Sequence, residues 1–130
     1  MNEYKLIIAG GRDFDDAAML SRVLYAMSDV ELADKAVSIV SGMARGADAL
    51  GYQFAHQHGV KVYEFNANWA RHGKRAGFMR NEDMGRFADG LLAFYSGSSG
   101  TRHMIHYMRS LNKPVTVIPY NGYIYESPRP

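Results

Sequence analysis

Apolar residues follow two rhythms along this chain. Short compact runs, Tyr4–Ala9, Ala36–Val40, Val60–Phe65, Gly90–Tyr95 and Val115–Ile118, have the length and composition of buried strands. Between them, apolar positions recur every three or four residues. Leu20, Val23, Leu24 and Met27 form one set, and Ala47, Leu50, Gly51, Phe54 and Ala55 a second. Ala76, Met79, Met84 and Phe87 form a third, and Met104, Ile105, Met108 and Leu111 a fourth. Each set lines one side of a helix, with its polar neighbours turned to solvent.

The breaks between runs carry their own signals. Gly10-Gly11 ends the first strand, and Asp13 or Asp15 is suited to cap the helix that follows. Gly59 is a helix stop, and Asn66–Gly73 reads as a loop holding the single tryptophan, Trp69. The third helix runs from about Lys74 to Ala88, and the fourth from His103 to Leu111. Asn121-Gly122 lies between VTVIPY and YIYE, a two-residue hairpin signal that predicts an antiparallel edge strand over Tyr123–Glu126. Strand and helix alternate throughout. The expectation is one α/β domain over residues 1–130: a Rossmann-like, doubly wound, mostly parallel five-stranded sheet with that C-terminal antiparallel edge strand.

Composition narrows the class. A chain of 130 residues is one domain's worth, and 47% hydrophobic with 22% charged residues is globular rather than disordered. Absence of cysteine removes disulfides and thiolate metal sites. His103 and His106 lack a third ligand at a suitable position, so no metal and no cofactor is expected. The start, MNEYKLIIAGG, has no signal-peptide pattern, and no apolar run reaches the roughly 20 residues of a membrane span. A cytoplasmic protein is expected. Net charge of +2 is too small to argue for nucleic acid as a partner.

In a doubly wound sheet, ligands bind beyond the carboxyl ends of the strands, where strand order reverses. Four segments reach that edge. They are Gly10-Gly11-Arg12-Asp13, the Ser41–Asp48 loop, the Trp69–Arg80 stretch, and Ser96–Thr101. Small residues at strand ends let backbone amides approach an anion, and a helix N-terminus favours it. Arg71, Lys74, Arg75 and Arg80 fall close together. Arg80 lies on the apolar stripe of its helix, where a guanidinium must reach out or find a partner. The sequence GGRDFD lacks the dinucleotide fingerprint, and no Walker A motif occurs, so a standard dehydrogenase or P-loop NTPase is not expected.

Taken together, GGRDF, SGMARGADAL, the run from Trp69 through His72, Lys74 and Arg80 to Asn81, and SGSSGT resemble the SLOG superfamily, and within it the small YspA-like branch. The resemblance covers about Lys5 to Val117. It implies a Rossmann-like domain that binds nucleotides or ADP-ribose-like ligands at its glycine-rich loops. Site residues implied are Gly10, Gly11, Arg12, Asp13, Ser41, Gly42, Arg45, Gly46, Asp48, Trp69, His72, Lys74, Arg80, Asn81, Gly97, Ser98, Ser99, Gly100 and Thr101. Relatives include the Lonely Guy phosphoribohydrolases, whose P-G-G-x-G-T-x-x-E motif aligns with Ser96–Met104. Gly100 and Thr101 are retained there, while Met104 stands at the glutamate's place. Asp13, Asp48 and Asp83 are the other carboxylates near the edge. The expected function is therefore binding, as a sensor or a phage-type sequestering protein. Nucleoside monophosphate hydrolysis is the alternative, and single-stranded DNA binding like that of the relative DprA is a second. Relatives often pair through helices, so a homodimer or higher homo-oligomer is expected.

Overall fold

The computed structural model describes residues 2–125. Five strands lie among them: β1 (Asn2–Gly10), β2 (Lys35–Ser41), β3 (Val62–Glu64), β4 (Gly90–Tyr95) and β5 (Val115–Pro119). Their order is β3-β2-β1-β4-β5, and every pairing is parallel. The chain winds outward from β1 to β3, then returns to the other side of β1 for β4. The switch in direction therefore falls between β1 and β4.

Helices α1 (Ala17–Asp29) and α2 (Ala47–Gln57) cover one face. Helices α4 (Ala76–Phe87) and α5 (Ser99–Ser110) cover the other. Side-chain alternation along β1 makes this division. Leu6 and Ile8 pack with Leu20, Leu24 and Ile39 under α1 and α2, whereas Ile7 and Ala9 pack with Val40, Met84, Met104 and Met108 under α4 and α5. A row across the sheet, Val40–Ile7–Leu91–Val115, fixes the register of four strands at once. Met84, Met104 and Met108 are core residues. Among the described residues no helix is long and apolar enough to cross a membrane.

Several boundaries differ from the pattern-based expectation. The cap of α1 is Asp16, whose carboxylate accepts from the Met19 amide at 2.9 Å. Asp13 is occupied elsewhere and Asp15 is not the cap. Trp69–His72 is a short helix, α3, capped by the Asn68 side chain, and a 3-10 turn over Gly73–Arg75 joins it to α4. Four residues are too few to show a period. Helix α5 begins at Ser99, four residues before His103, so half of the Ser96–Thr101 loop is its first turn.

The C-terminal edge strand is also corrected. The Asn121-Gly122 turn forms, with positive φ at both residues and the Tyr123 amide bonded to the Tyr120 carbonyl at 3.1 Å. Residues 123–125 then pair with no strand, and Glu126 lies outside the described residues. Tyr123 and Tyr125 instead set their rings edge-on against Tyr95, 5.1 and 5.7 Å between centroids. Aromatic contact outweighs ladder pairing there.

Candidate functional site

Beyond the carboxyl ends of β1 and β4 lies an open cleft of about 670 Å³. Its floor is Ala9, Gly10 and Gly11, and one wall is the turn from Ser96 to Thr101. Arg12 and Asp13 rise on one side, and Trp69, Lys74, Phe78, Arg80 and Asn81 on the other. Asp48 and Met104 lie deeper. The switch point thus gathers segments from across the chain into one concavity.

The Ser96–Thr101 wall is built to present amides. Ser98 precedes α5 in extended conformation, and its hydroxyl donates to Thr101 Oγ1 at 2.7 Å instead of accepting from a helix amide. The first amides of a helix have no acceptor within it. Those of Ser99, Gly100 and Thr101 stand at the cleft, at the positive end of the helix dipole. Asn81, buried between α4 and α5, donates to the Gly100 carbonyl at 3.1 Å and pins this turn from behind.

Opposite stands Arg80. Its Nη1 donates to the Gly42 carbonyl at 3.0 Å, and its Nε is buried with no hydrogen-bond partner among the described residues. Burial holds its pKa below the ordinary arginine value, Asp48 opposes that, and Arg12 adds to it. Asp48 is 4% exposed, and its Oδ2 accepts from the Ala44 amide at 3.4 Å. Burial pushes its pKa up to about 6, against the attraction of Arg80 and its hydrogen bonds. For both residues desolvation exceeds mutual attraction. Gly42 keeps the space between them open, since a β-carbon there would lie 2.7 Å from Asp48 Oδ2 and 3.0 Å from Arg80 Nε.

Of the residues singled out by sequence, the structure brings Gly10, Gly11, Arg12, Asp13, Asp48, Trp69, Lys74, Arg80, Asn81 and the Gly97–Thr101 turn to the cleft. Ser41, Gly42, Arg45, Gly46 and His72 are not part of its lining. Ser41 is buried and its hydroxyl donates to the Asp48 carbonyl at 3.1 Å. Gly46 precedes α2 with φ of +80° against the backbone of Gly11 and Arg12. Arg45 is exposed and His72 is half-buried.

Phe78 was missed. It is 42% exposed, with its ring 4.6 Å from that of His103, and it lines the same cleft as Trp69, which is 48% exposed. A signal existed: Phe78 falls on the side of α4 opposite the Ala76–Arg80–Met84 stripe. Tyr120 was missed as well. Its hydroxyl donates to Asp13 Oδ1 at 2.5 Å, and Asn121 Nδ2 donates to Asp13 Oδ2 at 3.3 Å.

Comparison with known proteins agrees with this architecture. DNA processing protein A (DprA) from Streptococcus pneumoniae superposes with a TM-score of 0.72 at 17% identity, over 93% of this chain and 52% of DprA. The chain therefore spans about half of that protein. TM1055, a structural genomics target, superposes with a TM-score of 0.61 at 20% identity, over 88% of this chain and 72% of TM1055. At those identities the shared property is the fold. In sequence, the Gene 61 protein of Mycobacterium phage D29 is 35% identical over 119 residues, covering 85% of this chain and 93% of the phage protein. The family described as YspA, cpYpsA-related SLOG matches residues 4–72, from β1 through α3. With that match and the phage relative, this chain belongs to the YspA, cpYpsA-related SLOG family.

Proposed function

We propose that the cleft binds a nucleotide or nucleotide-derived, ADP-ribose-like ligand and holds it intact, as a sensor or a sequestering protein. One observation carries this reading. Gly100 sits in the first turn of α5, where glycine is a poor helix former, and a β-carbon there would meet nothing within 4 Å. Neither packing nor a left-handed backbone accounts for it. A phosphate resting on the α5 amides does, because only a bare backbone lets it come close.

The remaining roles follow from placement. Thr101 adds a hydroxyl beside the amides, and Arg80 and Lys74 balance charge from the facing wall. Trp69 and Phe78 offer exposed aromatic faces for a base. The phage relative supports a phage setting for this chain, in which the domain acts by withdrawing a nucleotide signal. Exposed Met79 and Leu111 in the α4–α5 layer support self-association, which sedimentation velocity would detect as a dimer or larger species. DprA's name records DNA processing, but oligonucleotide binding is expected to be absent here, because net charge is only +2.

The test is mass spectrometry of small molecules released on heating the purified protein, beside calorimetry against a nucleotide panel. The expected result is one intact nucleotide per site. A panel without heat of binding and an empty protein would overturn the reading. A second reading, cleavage of a nucleoside monophosphate, draws on Asp48, a cleft carboxyl that keeps its proton up to about pH 6. Free base accumulating with time would establish it.

A further inference from the structure

We propose that Asp13 is a ribose-hydroxyl acceptor and that Tyr120 is the residue that positions it. This rests on the nucleotide reading above.

Two carboxylates line the cleft, and their settings differ. Asp48 is buried and faces Arg80, with one oxygen bonded to the Ala44 amide. Asp13 is exposed on the rim, ahead of α1 and with no role as its cap. A surface aspartate on a loop samples several rotamers. This one is held. Tyr120 donates to Oδ1 and Asn121 to Oδ2, so the plane of the carboxylate is fixed from behind by the segment that follows β5. Each oxygen retains a further lone pair. Two parallel acceptors on one rigid plane suit neighbouring hydroxyls, which donate in parallel, and ribose supplies such a pair.

Tyr120 is itself fixed. Its ring is 9% exposed and meets Phe14 edge-on at 5.0 Å, while Phe14 stacks on Phe94 at 4.3 Å. Its amide donates to the Tyr95 carbonyl at 3.3 Å. The hydroxyl occupies the place where a Gly11 side chain would be, so Gly11 is required by Tyr120. Burial, and then the bond to Asp13, hold the phenol above its ordinary pKa, so it remains a donor across the neutral range. Tyr120 lies outside the lining of the cleft and acts through Asp13.

The experiment is calorimetric titration of the full chain with AMP, 2′-deoxy-AMP and inorganic phosphate. Wild-type protein is expected to bind AMP about tenfold more tightly than 2′-deoxy-AMP. Tyr120→Phe keeps the ring contacts and is expected to erase most of that preference while leaving 2′-deoxy-AMP and phosphate binding unchanged. Asp13→Asn is expected to erase it too, and the double variant to be no worse than either. A merely structural tyrosine would weaken all three probes alike, which would overturn the proposal. Equal wild-type affinity for the two nucleotides would overturn it as well, with the nucleotide reading intact. No binding of any probe would remove both. If Tyr120→Phe loses its circular dichroism spectrum, Asn121→Ala, which frees the other carboxylate oxygen, carries the same comparison.

Discussion

Two glycine-rich strand ends meet at the cleft, and they are glycine-rich for different reasons. After β1, the space beside each glycine is already filled. A β-carbon on Gly10 would strike the Phe94 carbonyl and lie 2.8 Å from the Ala47 side chain, and one on Gly11 would strike the Tyr120 hydroxyl. Gly46, from the β2 end, is pressed on Gly11 and Arg12 in the same way. After β4, Gly100 faces open space. The first group lets protein approach protein, and Gly100 leaves room for something else. The same residue type therefore reports packing on one side of the switch point and open space on the other.

Substitution separates the two sides. The largest effect is expected on the filled side. Gly46→Ala would combine an unfavourable backbone with a collision against the Gly11 carbonyl, and is expected to cost about 3 kcal/mol of stability in urea unfolding. An unchanged midpoint would mean that the filled side yields easily, and the contrast with Gly100 would collapse.

Next is Asp48, beneath both sides. Its folded pKa, about 6, lies above the ordinary 3.8, so the folded protein binds this proton more tightly than the unfolded chain. The stability so conferred is complete below 3.8 and is lost as pH rises through about 6. On the order of 3 kcal/mol is involved. Asp48→Asn is expected to flatten that part of the stability profile, read by thermal melts across the acid range. A profile of unchanged shape would mean the carboxyl is solvated.

Trp69→Ala comes third, with roughly a tenfold loss of nucleotide affinity from base stacking. Half the indole is exposed, so the melting temperature should move little. Equal losses for AMP and inorganic phosphate would show that the indole supports the fold instead.

Gly100→Ala is the smallest in stability and the sharpest for the comparison. It is expected to stabilise the free protein by about 0.5 kcal/mol, since alanine is the better helix former. Phosphate and nucleotide affinity should fall. Gain of stability with loss of binding is the reverse of Gly46→Ala. Unaltered binding would return Gly100 to chance.

What could be read without coordinates follows the same line. The strands and the two helical layers were legible, because burial imposes periods of two and of three to four that survive in the order of residues. Arg80 announced itself by standing on an apolar stripe. The reason for each glycine was not legible, because GG reads the same whether Phe94 and Tyr120 or a phosphate occupies the neighbouring space. Tyr123 and Tyr125 alternate as a strand would, yet they are held by Tyr95, a partner far away in sequence. Alternation cannot distinguish a ladder from a row of aromatic anchors.

The central place of β1 bears on how the molecule is made. Its inner partner, β4, is synthesised some eighty residues after it, and Lys5 waits as long for the Asp89 carboxylate that receives its amide at 2.8 Å. A ribosome-bound chain ending before Gly90 therefore carries β1 as a bare apolar edge, open to pairing with another nascent chain. Such a fragment includes the whole family-matched segment and still lacks the Ser96–Thr101 wall of the cleft. Translation must pass the first turn of α5 before the cleft is complete.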